Sequence, residues 1–154
     1  MKQHFYIKFL LVGFAFVIFG FQKDASNDAI IATWMPGAGT SHVRIFKGAN
    51  AAYKGKYYGK IVRLKEPNDE SGNPKKDANN PVVAKRITPL LDLIILRDFV
   101  WDESDNEYNE GSIYDPKNGK TYSCYMKMDG DKLNVRGYIG ISLIGRTDVW
   151  TKVN

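Results

Sequence analysis

The sequence predicts an all-β domain, an antiparallel up-and-down barrel of about eight strands, behind an N-terminal export signal. Three observations carry this. Short alternating runs rich in Val, Ile, Tyr and Thr recur along the chain, separated by clusters of Gly, Pro, Asn and Asp. No window sustains an apolar period of 3.6 residues, the mark of an amphipathic helix. The 154 residues suit one domain. A domain of that size buries roughly two thirds of the surface its unfolded chain exposes, so it needs no disulfide or metal to hold a core.

The chain opens with "MKQHFYIK", which carries Lys2 and Lys8, then runs uncharged from Phe9 to Phe21 before the polar "QKDASND". A basic start, a short apolar run and a polar exit form the layout of a secretory signal peptide. The run is shorter than the roughly 20 residues of a membrane-spanning helix. Residues 1–25 are therefore expected to be a leader, cut after Gly20 or Ala25, with residues 26–154 as the barrel domain. After cleavage no membrane span remains, and an exported protein, periplasmic or secreted, is expected. Cutting after Gly20 lowers the net charge of +5 by the two lysines to +3, and the later site also removes Lys23 and Asp24, which cancel. Charge this thinly spread is no nucleic-acid footprint, which is a concentrated basic stripe.

The strands follow in order. "AIIATW" (29–34) is the first, "PGAGTS" turns the chain, and "HVRIF" (42–46) and "KYYGKIVRL" (56–64) follow. A long polar loop (65–81) and one short helical turn near Pro89 lead to "IILRDFVW" (94–101). The acidic tip "DESDNEYNE" precedes "GSIYD" (111–115). "PKNG" turns into "KTYSCYMKM" (120–128), with Asp115 capping that turn and Gly119 taking a positive φ. "DGD" leads to "KLNVRGY" (132–138), and residues 144–153 end the barrel. Between them "GYIGISLIG" is apolar yet broken by glycines. It either plugs one barrel end or forms an exposed patch for a partner or lipid.

"IVRLKEPNDESGNP", "PLLDLIIL", "GSIYDPKNGKTYS" and "LNVRGYIGISLIGRTDVW" occur in this order. With these phrases the chain resembles the exported bacterial family named domain of unknown function 2147, from about Ile30 to the C-terminus. The resemblance implies a lipocalin-like, or calycin, barrel in a bacterial envelope, and no established activity. Members often begin with Gly-x-Trp where this chain has Ala32-Thr33-Trp34; alanine serves unless the backbone there needs positive φ. The resemblance also implies a structural latch, with the guanidinium of late Arg146 over the ring of early Trp34, a contact worth about 0.5–2 kcal/mol. Asp148 is then expected to pair with a Lys or Arg on a neighbouring strand, and Trp150 to pack at the barrel wall.

The chemistry-bearing residues favour binding over catalysis. After leader removal His42 is the one histidine, in an alternating strand and without a recognisable nucleophile partner. One His and one Cys, Cys124, cannot make a transition-metal cluster. The oxygens of Asn68, Asp69, Glu70, Asn73 and Asp77 lack calcium-loop spacing and are opposed by Lys75 and Lys76. The carboxylates of Asp102, Glu103, Asp105, Glu107 and Glu110 read as a solvated hairpin edge rather than an acid–base pair. Neither a metal nor a cofactor is expected. Tyr114, Tyr122 and Tyr138, with Arg136 and Met126, are the candidate ligand-binding residues. In strands Tyr122, Cys124 and Met126 share one face, and an inward tyrosine face makes an apolar pocket with a few hydroxyls. The expected function is therefore non-enzymatic binding of a small, largely apolar ligand inside the barrel. The alternative is a structural module that meets an envelope protein through its loops.

Overall fold

The computed structural model describes residues 28–154. The expected leader, with both cleavage points, lies outside the described residues. Eight antiparallel strands close into a barrel in chain order. They are β1 (Thr33–Met35), β2 (Ser41–Lys47), β3 (Tyr57–Leu64), β4 (Ile94–Asp102), β5 (Glu107–Asp115), β6 (Lys120–Asp129), β7 (Lys132–Tyr138) and β8 (Gly145–Lys152). β8 returns to β1, with Trp34 opposite Lys152 and Met35 opposite Thr151. The seam is short: residues 145–150 of β8 are registered with β7 alone.

Up-and-down topology sends alternate connections to opposite ends. One end carries the connections 48–56, 103–106 and 130–131, together with a 3-10 turn at Asp28–Ile30. The other carries 36–40, 65–93, 116–119 and 139–144. The first end is closed. Ile30 is fully buried there, and its carbonyl accepts the Trp34 indole N–H at 2.9 Å. Asp28 Oδ1 accepts the Tyr57 hydroxyl at 3.0 Å and Lys47 Nζ at 3.1 Å, which ties the turn to β2 and β3. Beneath it Tyr57 meets Tyr108 edge-on with ring centroids 5.1 Å apart, and Trp101 lies 4.9 Å from Tyr108. Phe99, Met126, Leu133, Val43 and Ile45 complete this packed half, all with no exposed surface.

Two irregularities set which side chains face in. β3 and β4 shift register around Gly59, and Asp98 nearby takes φ 65°, held by Tyr58 Oη at 2.8 Å. β5 and β6 shift between Tyr108 and Gly111, with Glu110 at φ 59°. These bulges keep Leu96, Phe99, Tyr108 and Gly111 directed inward although their spacing breaks strict alternation. Gly111 is glycine because the Phe99 ring occupies the space of a Cβ.

Four features differ from the sequence expectation. The first strand is shorter, because Ile30 is spent on the closing turn. β5 begins at Glu107, so part of the acidic tip is strand. The short helical turn lies at Val83–Lys85, and residues 89–93 lead straight into β4. Finally, Arg146 and Trp34 form no latch. Arg146 pairs with Gly137, six residues along β8 from the Lys152 that faces Trp34. At about 3.3 Å per residue the two sit at opposite ends of the barrel. Ala32 is buried and is absent from the residues with positive φ, so it fits where glycine is common.

Burial raises the hydroxyl pKa values of Tyr57, Tyr58, Tyr108 and Tyr114 above the ordinary 10.0, to about 12 for Tyr58 and Tyr114. It pushes the Cys124 thiol from 9.0 to about 12. The unfolded chain loses these protons first, so above about pH 9 it binds fewer protons than the folded state and stability falls as pH rises. Urea midpoints are expected to decline steadily from about pH 9 to pH 12, with the thiol contributing first and the phenols from about pH 10.

Candidate ligand cavity

The open half of the barrel is not filled. It holds a cavity of about 1210 Å³. That is somewhat more than the span of ordinary small-ligand pockets, about 300–1,000 Å³. Ile61, Ile95, Ile113 and Val135 form its walls, Trp150 its floor, and Leu64, Leu90, Ile139 and Ile144 its mouth. The wall residues come from strand positions whose partners also face in: Ile113 opposite Tyr122 and Leu96, Val135 opposite Met126 and Asp148.

The five tyrosine, arginine and methionine candidates do not converge. Tyr122 faces the cavity near its mouth, and its hydroxyl accepts Asn118 Nδ2 at 3.0 Å. Met126 shares that face but is buried deeper, among the packed closed-end core. Tyr114 touches the cavity rim, but its place next to inward Ile113 sends its side chain outward. Its hydroxyl donates to Asp77 Oδ1 at 2.7 Å, beneath the 65–93 loop. Arg136 also points outward, because its neighbour Val135 points in. Its guanidinium donates to the Ser142 carbonyl at 2.9 Å, the Leu143 carbonyl at 3.4 Å and Thr147 Oγ1 at 3.0 Å. It clasps the 139–144 loop instead of meeting a ligand. Tyr138 lies on the same outer face, 6.4 Å from Tyr125, and touches the cavity only at its rim.

What sequence reasoning missed is the inner face of β8. Arg146, Asp148 and Trp150 all line the cavity, in that order from mouth to floor. Among the described residues Asp148 pairs with no Lys or Arg; its Oδ2 accepts the Trp150 indole N–H at 2.8 Å. Arg146 is exposed at the mouth. The apolar 139–144 loop does not plug the barrel. Ile139, Ile141, Leu143 and Ile144 are 59–84% exposed. At the 116–119 turn Asp115 Oδ1 accepts the Lys117 N–H at 2.9 Å, and Gly119 takes φ 70° against the Asn79 carbonyl.

The family model described as "Uncharacterized protein conserved in bacteria (DUF2147)" matches residues 32–152, nearly the whole barrel. The chain belongs to that family. Among solved structures, this DUF2147 member is similar to protein HP1028 from Helicobacter pylori, described as belonging to the lipocalin family. The TM-score is 0.67 at 19% identity, covering 81% of this chain and 83% of that one. That likeness establishes the lipocalin-like fold. No curated protein matches the chain.

At the acidic tip of this DUF2147 barrel the Asp102 carboxylate is engaged by its own turn. Asp102 Oδ1 accepts the Ser104 hydroxyl at 2.6 Å and its N–H at 2.9 Å, and these bonds hold the carboxyl below the usual carboxylate range. It caps the β4–β5 turn and has few lone pairs left for acid–base work. Among the described residues no group of three or more His, Cys, Asp or Glu is placed to hold a metal ion. No helix among them is long and apolar enough to cross a membrane.

Proposed function

We propose that this protein binds a small, largely apolar molecule in the open half of its barrel, without chemical turnover, after export from the cytoplasm. The cavity carries this reading. A barrel of eight strands is narrow enough for side chains to fill completely. This one is filled at the closed end and left open, with aliphatic walls and a few polar groups, at the other. Export rests on the charged, apolar and polar order of the N-terminal residues.

Gly137 supplies the test. It faces the cavity from β7, and a Cβ there would lie 3.4 Å from Ile113 and 3.7 Å from Tyr122, ordinary contact distances. Gly137→Phe is expected to place a ring in the cavity while the barrel stays folded. A neutral fluorescent apolar probe should bind the wild type and lose at least tenfold in affinity for the variant, with unchanged far-UV circular dichroism. Native mass spectrometry of protein purified from its own envelope should show a co-purifying ligand. No probe binding and no co-purifying mass would end this reading.

The exposed Ile139, Ile141, Leu143 and Ile144 favour a second reading, an envelope protein partner met by that loop. Crosslinking in cells from this loop would trap one defined protein if it holds, and only monomer if it does not.

A further inference from the structure

Resting on the cavity-binding reading, we infer that Asp148 gives the cavity a preference for ligands with an ammonium or comparable hydrogen-bond-donating group on an apolar body. Asp148 is the half-buried carboxylate of the inner wall, between the exposed Arg146 and the buried Trp150. One of its oxygens, Oδ2, is fixed by the Trp150 indole N–H. That bond orients the carboxylate and leaves Oδ1 as an acceptor. Four ion pairs are formed among the described residues and none involves Asp148, so no described cation sits in direct contact with its carboxylate.

Gly37 bears on this independently. It lines the same cavity, in the 36–40 connection that crosses beside β8. A Cβ at position 37 would lie 2.5 Å from Asp148 Oδ1, closer than any real contact. The backbone there does not take the positive φ that calls for glycine; Gly39, two residues on, does, at 64°. Glycine at 37 thus answers a need for space, and the Asp148 carboxylate fills that space, which fixes where Oδ1 sits at the cavity wall.

Depth decides between the two charges of the β8 inner face. Arg146 at the mouth is exposed, and its field is screened by solvent. Asp148 lies further in, among aliphatic walls, where the effective dielectric is lower and a charge-assisted hydrogen bond is stronger. A cationic nitrogen on an apolar body matches this wall: the body meets Ile61, Ile113 and Val135, and the nitrogen donates to Oδ1. An acidic head would meet the same carboxylate as a like charge.

The test is competition for the cavity. A neutral probe such as N-phenyl-1-naphthylamine is displaced by decylamine, decanol or decanoate at pH 7. Decylamine is expected to displace it at about tenfold lower concentration than the other two, the effect of one charge-assisted bond. In Asp148→Asn the advantage should fall below twofold, with each competitor's displacement corrected for the probe's own affinity for that variant. Gly37→Ala, which keeps the charge but forces the carboxylate aside, should also shrink the advantage. Equal displacement by all three compounds, a preference for decanoate, or an amine advantage that survives Asp148→Asn would overturn the inference and leave cavity binding intact. If the probe does not bind at all, calorimetric titration with decylamine decides: no heat removes both readings, whereas heat lost in Asp148→Asn retains this one.

Discussion

Trp34→Ala is expected to destabilise the barrel by about 3–5 kcal/mol, the largest effect of any single truncation of its core. Trp34 is fully buried on a three-residue strand that forms both the β1–β2 and the β1–β8 seams. Few backbone pairs hold that strand, so the indole supplies much of its attachment. Its N–H also anchors the Ile30 carbonyl, and through it the turn that closes the barrel. Removing the ring opens a cavity beneath Ile30 and releases the closing turn together. The seam would then open before the rest of the sheet. Cys124 reports this well: it is buried opposite Gly111, and burial keeps its thiol protonated. At pH 8 wild-type thiol labelling should follow rare opening, and Trp34→Ala should accelerate it by two or more orders of magnitude, alongside a lower urea midpoint. Trp34→Phe should recover part of both, because it refills volume without restoring the hydrogen bond.

The barrel was legible in the sequence because each strand needs one apolar face, and period-two alternation shows which residues share one. Alternation does not show which of two mixed faces turns inward. Tyrosine has an apolar body and a polar tip, and suits either side. Tyr122 faces in, whereas Tyr114 and Tyr138 face out, and only the register with Ile113 and Cys124 separates them. The start of β5 was hidden for a different reason. Asn109 and Glu110 are polar, and the bulge at Glu110 breaks the alternation that would reveal Tyr108 as inward. The latch failed on register as well, since the strand that carries Arg146 meets β1 only near Lys152. The site itself left one trace in the sequence, two charges on the same face as Trp150. Within a packed barrel an inward charge is costly unless something meets it, and that is the signal that points to Asp148.

Asp77→Ala is expected to cost about 3 kcal/mol and to free the 65–93 loop from the barrel wall, the second large effect. Asp77 is fully buried although it lies in a long polar loop. Its Oδ1 accepts the Tyr114 hydroxyl at 2.7 Å and its Oδ2 accepts Asn80 Nδ2 at 2.6 Å. Its backbone N–H reaches the Thr88 carbonyl at 2.8 Å, and its carbonyl accepts the Asn80 N–H at 3.0 Å. The carboxylate therefore ties the Asp77–Asn80 turn to the outer face of β5, and the backbone N–H joins that turn to Thr88. Truncation leaves two donors, the Tyr114 hydroxyl and Asn80 Nδ2, without that acceptor. Tyr114→Phe removes a single bond and should cost about half as much. The loop also carries Leu90 to the cavity mouth. Loosening it should therefore weaken neutral-probe binding severalfold while the barrel core keeps its amide protection. Limited proteolysis would cut Asp77→Ala within residues 65–93 far faster than wild type. Equal cleavage rates in the two proteins would mean that Asn79, whose Nδ2 holds the Pro116 and Lys117 carbonyls at 3.2 and 3.0 Å, secures the loop alone.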